Sequence, residues 1–397
     1  MILNQKTKSL LRLADLHNNK NTQVYIYICL ALLLIVSILL RISLIKFKNS
    51  DYLIFSSWYN FIKVHGISSF KYGSKAGFSN YNPPYSYFLY IASLLPISKA
   101  VAIKGILIIF DLLLAFSVYC VVKIFKPTKY TPLVASLATM YLPTVIITGV
   151  LWGQFDQLYV AFVFFSLYFG LKDKSKWSWI FFGVAIAIKF QAIFFLPVLI
   201  IMSFKRIYWY DSIWAIISFL VLTLPPALAG RPIGSLLNIY PSQATLFHGQ
   251  LTLNAPNIYQ WVPNAAFPYL YHAGIGLTMG AMIFILLISI IYKKFSKKDL
   301  LLATTFILYL VPFLLPEMHE RYFFPAGVSS MILALVYPEY AWTAVLIQMV
   351  TILSYAPFLF GIMPVSMATL AMFGLVIVCS LSYYFIRSSN NNKNTAN

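Results

Sequence analysis

Ten acidic residues in a chain of 397 are few enough for the position of each to be informative. Asp51, Asp111, Asp156, Glu317 and Glu320 fall at the ends of apolar stretches or inside them, where ionisable groups are costly and are functional candidates by default. Asp51 follows Lys48-Asn49-Ser50 where a long polar loop begins. A carboxylate there can take a proton from an attacking hydroxyl, as a general base does; it also suits the N-cap of a helix starting at Tyr52, and the two roles are compatible. Asp156 closes the run Trp152-Gly153-Gln154-Phe155-Asp156, where indole, amide and carboxylate crowd together as a polyol site would need. An interfacial Trp beside a helix-capping Asp has the same look. Asp111 sits within an apolar run and needs a partner, for which Lys104, seven residues earlier on nearly the same helical face, is the structural candidate.

Glu317-Met318-His319-Glu320-Arg321 is the densest cluster, with four ionisable side chains among five residues between two apolar stretches. Arg321 can hold a phosphate through forked hydrogen bonds, His319 can donate to a phosphate oxygen, and Glu320 can orient either; an internally neutralised turn is the plainer account. Lys189 and Gln191 interrupt another apolar stretch, either as a second cation for the same phosphate with an amide beside it, or as a lysine snorkelling to the interface. Cations and carboxylates together suit a phosphate-bearing lipid and a polyhydroxyl acceptor.

The elements that hold these groups are apolar helices. The chain is 60% hydrophobic and 10% charged, more apolar surface than a soluble domain of this size can hide. Apolar stretches near 24–45, 105–122, 131–150, 157–171, 177–188, 192–204, 212–230, 275–292, 300–316, 322–336, 341–360 and 365–386 predict an all-α bundle of about twelve spans in one membrane domain. The net charge of +19 is then a matter of insertion, with basic residues held in cytoplasmic loops, and no nucleic-acid partner is expected.

Most of the basic residues fall where this topology puts the cytoplasm, including the 1–23 segment and the 387–397 tail. The first span lacks a cleavage site and reads as uncleaved. Asp15, Asp173, Asp211, Asp299 and Glu339 are then expected as solvated partners of nearby lysines, and Cys29, Cys120 and Cys379 as packing residues. Two long extracytoplasmic loops remain. The 46–104 loop carries amphipathic interfacial helices, although 84–98 would alternatively make a further span. The 230–274 loop is rich in Pro, Asn, Gln, Tyr and Trp, and suits the stacking and hydrogen bonding that sugars demand, or simply an ordered surface loop.

In order, an acid opening the first outer loop, Tyr81-Asn82-Pro83-Pro84-Tyr85, Trp152-Gly153-Gln154-Phe155-Asp156, Lys189-Phe190-Gln191 and Met318-His319-Glu320-Arg321-Tyr322 resemble the GT-C superfamily of membrane glycosyltransferases. The nearest branch is that of the second mannosyltransferase of GPI-anchor synthesis and its bacterial relatives. The resemblance covers roughly residues 24 to 336. It implies a polyprenyl-phosphate-linked sugar donor, a glycan or glycolipid acceptor, and inverting transfer of a mannose-like hexose on the extracytoplasmic face. Asp51 matches its catalytic acid residue. It implies that Trp152, Gln154, Asp156, Gln191 and Glu320 shape the acceptor and sugar site, and that Lys189, His319 and Arg321 lie near the donor phosphate.

Some relatives carry paired acids in the first loop, whereas this chain has no second carboxylate between Asp51 and Asp111; no metal or cofactor is expected. A bacterial inner membrane is the expected location, ahead of the endoplasmic reticulum. Two rivals share the ligand chemistry. A polyprenyl-linked sugar flippase would spread its polar groups through the spans, and an O-antigen ligase or polymerase would carry a late outer loop rich in Arg and His.

Overall fold

The computed structural model describes residues 20–244, 246–292 and 295–394. Lys6, Lys8, Arg12 and Asp15 of the expected cytoplasmic N-terminal segment lie outside the described residues. The protein is a helical membrane protein in which every expected apolar stretch is mainly helix. Lys20–Leu44, Lys99–Phe125, Asn264–Ile291, Pro338–Phe360 and Met367–Ser388 are long and apolar enough to cross a bilayer, and the bent pair Thr131–Tyr141 with Pro143–Leu151 makes a sixth if counted as one. Five or six crossings are therefore supported by helix length, against the twelve counted from apolar stretches. Asp156–Leu171, Ser175–Ile188, Phe190–Ser203 and Trp209–Thr223 are shorter apolar helices.

Packing follows from small residues. Lys99–Phe125 packs on Asp156–Leu171, which packs on Ser175–Ile188, which packs on Ile213–Thr223. At the last crossing a Cβ on Gly183 would stand 2.2 Å from Ala215 O, so only glycine lets these backbones approach so closely. Lys297–Leu314, Phe324–Val336, Ala341–Phe360 and Met367–Asn394 form the neighbouring group. Helix Pro84–Ser93 has 10 residues, half the length needed to span a hydrocarbon core of roughly 30 Å.

Several acids differ from expectation. Asp211 and Asp299 are buried. Asp299 closes a capping box with Ser296 and accepts from Ser388, because the start of a buried helix needs its free N–H groups satisfied. Asp173 pairs with Arg206 and Glu339 with Lys298. Cys29 and Cys379 are exposed on helices whose apolar surfaces face outward, so they are not packing residues.

The third apolar stretch is broken. Thr131–Tyr141 and Pro143–Leu151 meet at 51°, as Pro143 removes an N–H from the ladder, and residues Ile147–Leu151 continue as a π-turn. Backbone groups freed inside a membrane protein must find partners, and side chains from four other segments supply them. Arg41 Nη2 donates to Met140 O at 2.8 Å, Gln157 Nε2 to Val145 O at 3.2 Å, Lys104 Nζ to Leu151 O at 3.4 Å and Asn49 Nδ2 to Trp152 O at 2.8 Å. Asp111, for which Lys104 was the expected partner, pairs instead with Arg41 at 2.6 Å; Lys104 turns to the carbonyls of Leu151 and Phe47.

Candidate active site

Helix Ser50–His65 begins with Asn49 as its N-cap, whose side chain accepts from Tyr52 N at 2.9 Å. Asp51 therefore lies in the first helical turn and is not the cap, which leaves its carboxylate for other partners. Oδ2 accepts from Trp152 Nε1 at 2.7 Å and Gln154 Nε2 at 2.5 Å. Both donors come from one turn: Gly153, at φ 93°, takes the left-handed backbone that glycine alone adopts freely, and so presents the residues before and after it to the same oxygen. Arg321 Nη1 stands 3.9 Å from that oxygen. No described side chain bonds Oδ1 of Asp51.

Asp156 also caps no helix. Helix Asp156–Leu171 has no side-chain cap, and the Asp156 carboxylate forms an ion pair with Lys189 through Oδ1. Lys189 does not snorkel; it is buried, with its ammonium 5.5 Å from the Phe155 ring centre, where a ring face favours a cation. Arg321 lies between the two acids, its Nε 4.0 Å from Asp156 Oδ2 and its Cζ 5.6 Å from the centre of the Trp152 ring. These are charge contacts and not closed hydrogen bonds, and Arg321 Nε has no hydrogen-bond partner among the described residues. Arg321 thus balances two carboxylates while keeping donors for an anion.

The loop that carries Arg321 is fixed by a two-residue parallel ladder, Thr252–Leu253 with Met318–His319, extended by Glu317 N donating to Leu251 O at 2.9 Å. His319 packs edge-on to Phe247 and Tyr322. Burial, with Arg321 and Lys189 nearby, holds its imidazole well below the usual histidine range, so it is a neutral donor or acceptor; the site has two standing cations, not three. Burial pushes Glu320 up to about 7, and pushes the Tyr81 hydroxyl up to about 12.

A cavity of about 650 Å³ opens over this cluster, lined by Asp51, Gln154, Lys189, Gln191, His319, Glu320 and Arg321. Its wall is completed by aromatic and amide groups: Trp58, Asn80 and Tyr81 from the first loop, and Gln243, Phe247, Gln250 and Asn254 from the second. Trp152 and Asp156 are buried behind this lining and reach the cavity through Asp51 and Lys189. Among the described residues no three His, Cys, Asp or Glu side chains gather as a metal site. Sequence reasoning missed Asn49 and Arg41. A lone arginine inside an apolar stretch was the available signal for Arg41, and an asparagine just ahead of a helix start, a favoured N-cap, was the signal for Asn49.

A carboxylate with one open oxygen, beside two cations and at the edge of a polar and aromatic cavity, can deprotonate a hydroxyl while an anionic leaving group is stabilised close by. The family model of glycosyltransferase family 87 matches residues 78–315. That stretch includes Trp152, Gln154, Asp156, Lys189 and Gln191; Asp51 precedes it, and His319, Glu320 and Arg321 follow it. None of the curated proteins matches the chain.

Proposed function

Because the chain belongs to glycosyltransferase family 87, we propose that it transfers a hexose, mannose-like, from a polyprenyl-phosphate donor to a glycan or lipid-linked acceptor on the extracytoplasmic side of a bacterial inner membrane, as GT-C enzymes do. Both termini would be cytoplasmic, in a bundle with more crossings than the long helices alone make. The observation that carries this reading is the arrangement around Asp51. One oxygen is occupied by Trp152 and Gln154, the other is open, and Arg321 is 3.9 Å away.

In the proposed step an acceptor hydroxyl oxygen attacks the anomeric carbon and forms the new C–O bond. The bond from that carbon to the phosphate oxygen breaks, its electron pair stays with the polyprenyl phosphate, and the hydroxyl proton passes to Oδ1 of Asp51. Attack opposite the leaving group inverts the anomeric configuration. The developing charge on the phosphate meets Arg321 and Lys189, with His319 as a neutral hydrogen-bond donor; one well-placed donor contributes roughly 3 to 4 kcal/mol in other enzymes. Gln154, Gln191 and Glu320, together with the ring and amide groups of both outer loops, would hold the sugars. Trp152 and Asp156 would act on the site through Asp51 and Lys189.

The two rival readings are less well supported, because the ionisable groups gather at one cavity and the 230–274 loop carries a single arginine, Arg231. The test is purified protein in vesicles, supplied with polyprenyl phosphate mannose and a glycolipid extract. Wild-type protein should release polyprenyl phosphate and D51N should not. Near-normal release by well-folded D51N would overturn the assignment.

A further inference from the structure

One buried ion pair lies outside the proposed chemistry. Arg41 and Asp111 are both wholly buried and are joined at 2.6 Å, on the first and second long helices. A buried pair of this kind is weak evidence for stability, since desolvation offsets its attraction, so its presence asks for another reason. Arg41 uses three nitrogens on three partners: Nε on Asp111, Nη1 on Ser37 Oγ at 2.6 Å, and Nη2 on Met140 O at 2.8 Å. The last is a carbonyl at the break of the bent stretch, where the helix leaves its acceptors unpaired.

Asp111 meets the same stretch further along. A Cβ on Gly149, inside the π-turn, would stand 3.1 Å from Asp111 Oδ1 and 2.7 Å from Gln157 Nε2, and Asp111 Oδ1 has no hydrogen-bond partner among the described residues. The pair thus meets the bent stretch in both of its halves, Arg41 at Met140 near the end of the first and Asp111 close to Gly149 near the end of the second. Three residues beyond Gly149 comes Trp152, and then Gln154, the two donors to Asp51.

We propose that Arg41 and Asp111 are positioning residues for transfer. By fixing the break at Met140 and supporting the π-turn at Gly149, they set the direction from which Trp152 and Gln154 meet Asp51. This rests on Asp51 as the base. A displacement of about 1 Å in such a group can cost on the order of 100-fold in rate, which is the sensitivity the arrangement implies.

The test compares R41M/D111L, R41K and G149A with wild type in vesicles, using polyprenyl phosphate mannose as donor. Removing both charges together leaves no unpaired ion, so R41M/D111L should fold and melt like wild type, yet lose on the order of 100-fold in kcat with the donor KM unchanged. R41K keeps the charge but cannot reach Asp111, Ser37 and Met140 together, and should stay slow. G149A keeps both charges and displaces the turn, and should lose kcat in the same manner; it carries the test if the double variant does not fold. Full kcat in R41M/D111L, recovery in R41K or full kcat in G149A would each overturn the positioning role. If D51N is inactive while these variants are fast, only this inference falls; if D51N is active, the base assignment falls first.

Discussion

Trp152 Nε1 and Asp51 Oδ2 lie 2.7 Å apart across 101 residues of chain, joining the turn after a broken helix to the first turn of helix Ser50–His65. A hydrogen bond to a charged group is worth about 1.5 to 3 kcal/mol, so W152F should lower kcat about 10- to 100-fold. The ring would still pack against Tyr355 and Phe358, so the melting temperature should fall by no more than a few degrees. Steady-state kinetics with a thermal scan checks this; a W152F enzyme as fast as wild type would show that the contact is incidental.

Lys189 and Asp156 should behave as one unit in stability. Either K189M or D156N leaves a buried charge without its partner and should cost about 3 to 5 kcal/mol. K189M/D156L should recover most of that stability while transfer stays low. A double-mutant cycle from denaturation in detergent measures the coupling, and simple additivity of the single effects would refute it.

Arg321 should not tolerate lysine. Its planar fork lies over Trp152 and between Asp51 and Asp156, a geometry an ammonium cannot reproduce. R321K should reduce kcat on the order of 10²- to 10³-fold, with folding retained. Product assays at saturating donor would expose the contrary result, a kcat within error of wild type.

Glu320 should make stability depend on pH. Burial raises it from 4.5 to about 7, so between these values the folded protein binds a proton that the unfolded chain has released. Its contribution is therefore fully present below pH 4.5 and is lost as pH rises to about 7, on the order of 3 kcal/mol in all. His319 has the opposite sign, because it is neutral when folded and takes a proton when unfolded. Comparison with E320Q isolates the Glu320 part, since Arg321, Lys189, Asp51 and Asp156 are common to both proteins. Melting of wild type should fall relative to E320Q between pH 5 and pH 8; parallel curves would contradict the assignment.

The helices were legible because lipid-facing sequence is apolar whatever its neighbours, and length alone separates a helix from a crossing. The cavity residues were legible because charge in an apolar context is costly and so stands out: Lys189, Arg321 and Glu320 all lie where that rule pointed. Pairing was not legible. Asp111 had Lys104 on its own helix as the nearest candidate in sequence, yet its partner is Arg41, 70 residues away, since tertiary contact depends on where the broken helix exposes its carbonyls. The capping alternative failed at both Asp51 and Asp156, because a carboxylate at a helix start satisfies the local rule while its actual partner is set by another segment.

The ladder between Thr252–Leu253 and Met318–His319 has a consequence for how such an enzyme can diverge. On the proposed reaction, the second outer loop brings amides and rings to the cavity, while bond breaking is left to Asp51, Lys189 and Arg321. Lineages could therefore retune which glycan is accepted by exchanging side chains such as Gln243, Phe247 or Gln250, without touching the reaction itself. Insertions close to Thr252 are a different matter: a one-residue slip reverses which face each side chain of the slipped strand presents, and Thr252 and Leu253 would exchange places. Variation in this lineage should thus run through substitutions, with the spacing around the ladder held fixed.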